Sequence, residues 1–338
     1  MAVSVHGGPA TILTSGVSDP KTKTPMKPTD ELAVASNTKT FVAALVLSLV
    51  RDGKVKLDSP INTYGINFPN GNVITVRELL SHTSGIPPLG GDFGPDPYSL
   101  AYQKKVLADL GHHYTAAEDI SYVRNRPLLF APGTATAYSN INTILAAQIV
   151  EHVTGKTWTA ALHDQLLRPM HLTATYDAAN ETPPVPAIPG LFVLEGSSNV
   201  LNNADFNHTA VVTGLGAAGS LVSNASDMVT WGNALLRNDT VLGPKLSKEA
   251  HTIAAGGTGM GVLGFMSSTP CSFGTCPPGT TFRGYGGTGS IPGARSLLVY
   301  DTKTDSVVML FANRTPANLD GILRPELDLI ETAESASP

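Results

Sequence analysis

Apolar residues along this chain follow a helical spacing in some stretches and a strand spacing in others, and the alternation lays out the elements. Residues 41–50 form an apolar run broken only by Ser48, which predicts a helix buried on most sides; it continues to about Asp52, and Gly53 supplies the stop. After Asn140, the residues Ile141, Leu145, Ile149 and Val153 share one helical face, and Gly155 ends that helix. Further helices are expected near residues 100–110, over 225–236 with Asp227 favourable to the N-terminal dipole, and over 319–331, with 335–338 fraying. Residues 73–80 pass from extended chain into a short helix ended by Ser84-Gly85-Ile86-Pro87-Pro88.

Two β-type runs, Ala2–Val5 and 10–14, flank His6-Gly7-Gly8-Pro9 and predict an opening hairpin. Ala294–Asp301 and Ser306–Ala312, joined by Thr302-Lys303-Thr304-Asp305, predict a second one near the other end. Stretches 20–30 and 90–97 read as loops, and the proline-rich 183–189 as an extended segment leading into a Gly/Ser/Asn-rich connector. The pattern holds no internal repeat. Strands at both ends with helices between them predict an α/β (α+β) protein: one antiparallel sheet built from the two termini and flanked by helices, with a mainly helical insertion. The expected division is a sheet lobe of residues 1–58 and 205–338 and a helical lobe of residues 59–204.

Composition narrows the classes of function. A chain of 338 residues with 42% hydrophobic and 14% charged residues can bury a sizeable core, which excludes global disorder. A net charge of -5 without a dense Lys/Arg cluster argues against nucleic acid or an anionic membrane surface, and points to a small-molecule or peptide ligand. The apolar run at 41–50 is too short to span a bilayer. The nine histidines include no H-E-x-x-H, and the adjacent His112-His113 cannot both face one site from a helix, so no metal is expected and the histidines are assigned to surface or loops. Two cysteines, Cys271 and Cys276, enclose a short Gly-containing stretch; a local disulfide is expected, with two free thiols as the alternative. A bridge would imply an extracytoplasmic setting. No signal peptide is visible at Met1-Ala2-Val3-Ser4-Val5, so a secreted, periplasmic or cell-surface protein would have its signal segment outside this chain.

The chemistry concentrates at three places. Ser36 and Lys39 stand three apart at the mouth of the 41–50 run, so that the amine can reach the hydroxyl about one turn away. A serine hydroxyl is a poor nucleophile at neutral pH, and a lysine takes its proton only where burial holds the amine partly neutral. The plainer alternative is an N-cap serine with an exposed first-turn lysine. Ser18-Asp19-Pro20-Lys21 has the same spacing, but Pro20 disfavours a helix there, which makes it the decoy. The chain's single Y-x-N, Tyr138-Ser139-Asn140, precedes a helix; it offers a proton relay and an amide-binding side chain, or merely a loop tyrosine and a helix cap. Last, Arg283-Gly284-Tyr285-Gly286-Gly287-Thr288-Gly289-Ser290 enters the final strands with glycines that let a ligand approach the strand backbone closely, or simply form a turn.

In this order, and with Ile74 to Gly85 and Gly216-Ala217-Ala218-Gly219 between them, these segments resemble the serine β-lactamase and penicillin-binding superfamily, in the branch of class C β-lactamases, Streptomyces-type D-alanyl-D-alanine carboxypeptidases and related esterases. The resemblance implies a β-lactamase/transpeptidase-like fold with its active site between the two lobes. It implies Ser36 as nucleophile, Lys39 as base, Tyr138 as the partner that moves protons between attacking and leaving groups, and an acyl-Ser36 intermediate without cofactor. It further implies an oxyanion hole from the N–H groups of Ser36 and Ser290, with Asn140 and Thr288 holding the substrate.

Two departures stand out. Relatives that cleave peptides or β-lactams usually carry Lys or His where this chain has Gly287, and some carry an arginine where it has Met266; Arg283 or Arg295 could compensate. Relatives also begin with a helix ahead of the first strand, so this chain reads as a fragment. The expected activity is a D-alanyl-D-alanine carboxypeptidase or β-lactamase-like hydrolase, with a carboxylic ester hydrolase and a catalytically retired binding protein as alternatives. An α/β-hydrolase would need G-x-S-x-G, which is absent.

Overall fold

The computed structural model describes residues 1–89, 97–182, 187–193, 198–254, 256–265 and 282–335. Cys271, Cys276, Met266 and most of the expected loop at 90–97 lie outside them, as do 183–186 and 336–338. Six strands form the main sheet: β1 (Ala2–Val5), β2 (Thr11–Ile12), β3 (Leu263–Phe265), β4 (Gly284–Ile291), β5 (Ala294–Asp301) and β6 (Ser306–Ala312). Their order is β3-β4-β5-β6-β1-β2 with every neighbour antiparallel, so the first strand pairs with one near the C-terminus, Ala2 opposite Met309. Both expected hairpins are present, and the sheet joins the two ends of the chain.

Period-two alternation decides what each sheet face carries. Leu298, Val307 and Met309 point into the larger core, whereas Leu297, Val299, Val308 and Leu310 join a second cluster with Leu319, Leu323 and Leu327. The last two belong to the C-terminal helix, α5 (Asp320–Ser335). The first face shares one core with α1 (Thr38–Arg51), in which every residue from Thr38 to Leu49 is buried. Trp231, on α4 (Ala225–Gly232), stacks on Phe41 at 4.0 Å and 10°, and its indole Nε1 donates to Thr40 Oγ1 at 2.9 Å. That contact ties α1 to α4, the helix that packs on the sheet. On the other side α1 packs against α3 (Asn140–Thr154), which ends on Gly155 at φ 69° as expected.

Several elements differ from the sequence reading, including the connector after 183–189, in which Leu191–Val193 pairs with Val200–Asn202. The α-helix begins at Thr38 rather than at Ser36, which lies in a 3₁₀ turn, Ala35–Asn37, with Ala35 at φ 48°. The stretch 20–30 is not wholly loop: Val17–Asp19 pairs with Thr24–Pro25, and Asp19 accepts from the Lys21 N–H and the Thr22 hydroxyl to close the turn. The helix expected over 225–236 stays α-helical to Gly232 and widens to a π-helical turn over Asn233–Arg237, where Tyr285 donates its hydroxyl to the Leu236 carbonyl. The short helix α2 (Val76–Leu80) starts on a capping box, with Thr75 N–H donating to Glu78 Oε2 at 2.7 Å and Glu78 N–H to Thr75 Oγ1 at 3.3 Å.

Truncating Trp231 to Ala removes both the stack and the Thr40 bond from a fully buried position, and should cost about 3–5 kcal/mol in urea unfolding. Leu329→Ala, on the exposed side of α5, should stay within about 0.5 kcal/mol.

Candidate active site

The 3₁₀ turn at the mouth of α1 presents Ser36, and burial of α1 carries Lys39 inward, 6% exposed. Lys39 Nζ donates to Ser36 Oγ at 3.0 Å and to the carbonyl of Ala218 at 2.6 Å. Ser36 is thus not an N-cap serine beside a solvated lysine, the plainer of the two sequence readings. Tyr138 comes from the segment ahead of α3, and its hydroxyl stands 2.7 Å from Ser36 Oγ. Lys39 Nζ also lies 4.7 Å from the centre of the Tyr138 ring. Either of the Ser36 and Tyr138 hydroxyls can donate to the other. The three groups therefore share protons as one network rather than as separate pairs.

The decoy is separated from this chemistry: Ser18 Oγ donates to the Thr24 carbonyl at 3.3 Å, and Lys21 pairs with Asp205.

The third segment is β4. Glycine is required at Gly289, where a Cβ would meet the Val34 carbonyl at 2.2 Å and Ser296 Oγ at 2.5 Å; its absence lets the strand pack against the turn that carries Ser36. Gly287 has a different neighbour. A Cβ there would stand 2.2 Å from Asn37 Oδ1. Asn37 is fully buried; its Nδ2 donates to Ser296 Oγ at 2.8 Å, and Ser296 Oγ donates to the Val34 carbonyl at 2.6 Å. Because Ser296 has only one hydroxyl proton, Nδ2 must face it and Oδ1 must face Gly287. That oxygen is buried without a hydrogen-bond partner among the described residues. Strand β3 pairs only with Gly284, Tyr285 and Gly286, so beyond Gly286 the outer edge of β4 carries no strand among the described residues. Thr288 donates its hydroxyl to the Ser296 carbonyl at 3.3 Å, and Ser290 is exposed opposite Arg295.

Ser36, Lys39, Thr40, His82, Tyr138, Gly261, Val262, Leu263, Gly286, Gly287 and Thr288 line a cleft of about 30 Å³. Asn140, Gly289 and Ser290 are not among its described lining. Asn140 is buried as the first residue of α3, whose N-cap is Ser139. A larger cleft of about 610 Å³ lies along α3 and the segment 157–168; Gly216 and Ala217 reach it, but none of the candidate catalytic or substrate-binding residues does. Among the described residues no group of three or more His, Cys, Asp or Glu is gathered as a metal site, and no helix is long and apolar enough to cross a membrane.

Neither arginine supplies a cation at Gly287. Arg283 is held by Asp301 at 2.7 and 2.6 Å and also pairs with Glu331. Arg295 precedes Ser296, whose hydroxyl reaches Val34, and alternation along β5 sends Arg295 to the face that carries α5.

Sequence reasoning missed two participants. Ala218 acts through its carbonyl, which no side-chain pattern announces. His82 lies in a turn, as expected for the histidines, but it is buried against Tyr138 with ring centres 4.7 Å apart and planes at 26°. Burial, and then the nearby Lys39 charge, lower its pKa from 6.5 to about 3.

These features define a serine hydrolase-type centre on a mixed α/β scaffold. The chain belongs to the beta-lactamase family, whose profile matches residues 1–333. It is 30% identical over 198 residues to Protein flp of Staphylococcus aureus (strain NCTC 8325 / PS 47), a match covering 57% of this chain and 37% of that longer protein. Among solved structures it is similar to the D-amino acid amidase from Ochrobactrum anthropi SV3, with TM-score 0.78, 25% identity, and 98% and 93% of the two chains covered. It is also similar in fold to a penicillin binding protein from Bacillus halodurans, with TM-score 0.77, 20% identity, and 96% and 94% covered.

Ser36→Ala should abolish labelling by an acylating probe in intact-mass spectra, whereas Ser18→Ala should leave it unchanged; the opposite pattern would overturn the assignment. His82 also sets an acid limit on stability. Its folded pKa lies below the unfolded one, so between about 6.5 and 3 the unfolded chain binds a proton that the folded chain does not. The His82 contribution should be complete above about pH 6.5 and lost progressively as pH falls toward 3, and His82→Asn should flatten unfolding free energy against pH over that range.

Proposed function

We propose that this chain is an acyl-Ser36 hydrolase for acyl donors without a free carboxylate at the reacting end, namely simple carboxylic esters and D-amino acid amides. It would work between the lobe of residues 1–58 and 205–338, which supplies Ser36, Lys39 and β4, and the lobe of 59–204, which supplies Tyr138. Ser36 Oγ attacks the acyl carbon as its proton passes to the Lys39–Tyr138 network. The same network returns a proton to the leaving alkoxide or amine, and water then attacks the acyl-enzyme by the reverse path. The N–H groups of Ser36 and Ser290 hold the oxyanion, and the open edge of β4 with Thr288 aligns the donor.

One observation carries the choice of substrate: the place beside Gly287 is filled by the uncharged Asn37 amide. Lys39 is already engaged by Ser36 and Ala218, and Arg283 and Arg295 are directed elsewhere. A substrate carboxylate would leave water without a cation to meet it, a loss of several kcal/mol for a buried charge. The Ochrobactrum anthropi neighbour, named as a D-amino acid amidase, is consistent with a donor of this class. D-alanyl-D-alanine peptides and penicillins both present a carboxylate, and on this reading they are poorer donors.

The test compares p-nitrophenyl acetate and D-phenylalanine amide with a D-alanyl-D-alanine peptide and a fluorescent penicillin, using Ser36→Ala as control. Ester and amide should turn over with kcat/KM about tenfold or more above the peptide, and without a lasting penicilloyl adduct. A stable penicilloyl-Ser36 together with faster peptide cleavage would instead place the chain with the carboxypeptidases. Silence toward all four would leave a retired fold.

A further inference from the structure

His82 touches the Tyr138 segment at three points. Its backbone carbonyl accepts from the Ala137 N–H at 3.0 Å, its Nδ1 faces the Ser139 N–H at 3.3 Å, and its ring stacks on the phenol between them. The residues before and after Tyr138 are thus held by the same side chain and backbone that pack against the tyrosine itself. The turn that delivers His82 follows α2 directly, and His82 takes φ 56°, a left-handed conformation that non-glycine residues adopt at a cost.

The hydrogen-bond chain behind the ring sets which nitrogen carries the proton. Ser84 Oγ accepts from the Ile86 N–H at 3.1 Å and donates to Asn142 Oδ1 at 2.6 Å. That fixes the Asn142 amide with Nδ2 toward His82 Nδ1, 3.2 Å away. Two donors, Asn142 Nδ2 and the Ser139 N–H, therefore converge on Nδ1. It must offer a lone pair, and in the neutral ring the proton resides on Nε2.

We propose that His82 is a positioning residue for the reaction: as a neutral, Nε2-protonated imidazole it holds Tyr138 at hydrogen-bond distance from Ser36. The proposal rests on the reading above, in which Tyr138 moves protons. A protonated ring would turn Nδ1 into a third donor against two donors and would set a cation beside Lys39. The titratable groups facing it in the cleft are Lys39 from α1 and Tyr138 itself; Thr40, Gly261, Val262 and Leu263 are uncharged. Burial and the Lys39 charge both hold the ring neutral, in accord with the geometry.

Two variants separate the ring from its acceptor. His82→Phe keeps the stack and loses the Nδ1 lone pair. His82→Asn suits the left-handed backbone and returns an acceptor near the Nδ1 position without the ring. With p-nitrophenyl acetate, His82→Phe should lower kcat about tenfold or more at little change in KM and displace the pH–kcat profile, and His82→Asn should recover much of the loss. Loss of kcat in step with thermal stability, at an unmoved pH profile and without rescue by Asn, would overturn the proposal. Should neither variant fold, ¹⁵N NMR of the unmodified protein decides: Nδ1 unprotonated and Nε2 protonated, with no titration between pH 8 and about 5, is the expected result. An Nδ1–H tautomer, or titration near the ordinary histidine value, would refute it. Tyr138→Phe assayed in parallel separates the two readings, because unchanged kcat there removes the role of Tyr138 while leaving the His82 tautomer measurement to stand or fall alone.

Discussion

A lysine side chain inside the protein is the constraint on which the rest of this structure turns. Burying an amine is costly unless its hydrogen bonds are met, and Lys39 meets them with one side-chain oxygen and one backbone carbonyl, Ser36 Oγ and Ala218 O. Each partner imposes a demand. Ser36 must sit in a tight turn one residue short of the α-helix, which Ala35 permits by taking a positive φ. Ala218 must bring its carbonyl over α1, which the short 3₁₀ turn Gly216–Ala218 achieves, while the Leu221 N–H is tied to Thr38 Oγ1 at 3.1 Å. The apolar body of α1, locked by the Phe41–Trp231 stack, supplies the burial that makes an otherwise ordinary lysine chemically useful.

Around that amine, charge is kept to a minimum. Asn37 fills the space that a side chain at position 287 would need, and its Oδ1 is one of several buried polar atoms without a hydrogen-bond partner among the described residues. His82 is held neutral on the opposite side of the cleft. The amide and the imidazole both give shape and hydrogen bonding without adding a second positive charge beside Lys39. The proposed preference for donors without a carboxylate rests on this arrangement, which suits charge that develops during acyl transfer better than charge already present on the substrate.

Much of this was legible in advance because it is local. The burial of α1 follows from an apolar run with a single serine in it, the end of α3 from Gly155, and the two hairpins from alternating runs around turn residues. Ser36 and Lys39 meet because three positions make nearly one turn, and Pro20 told the decoy apart from the pair that comes together. The misread elements fail for reasons that are not local. The hairpin within 17–25 depends on Asp19 closing its own turn, and the widened turn at Asn233–Arg237 depends on a tyrosine from β4, far along the chain.

By itself the sequence determined the fold class, the order of the three motifs and the candidate residues for acyl-transfer chemistry, because helix spacing, strand alternation and glycine placement act over a few residues. Only the tertiary structure decided that the Ala218 carbonyl meets Lys39, that Asn37 occupies the room left by Gly287, and that His82 contacts the Tyr138 segment on both sides. Each of these is a contact between segments distant in the chain, 39 with 218, 37 with 287 and 82 with 138. Their geometry is set by how helices and sheet pack together, and packing leaves no periodic mark on the residues it joins.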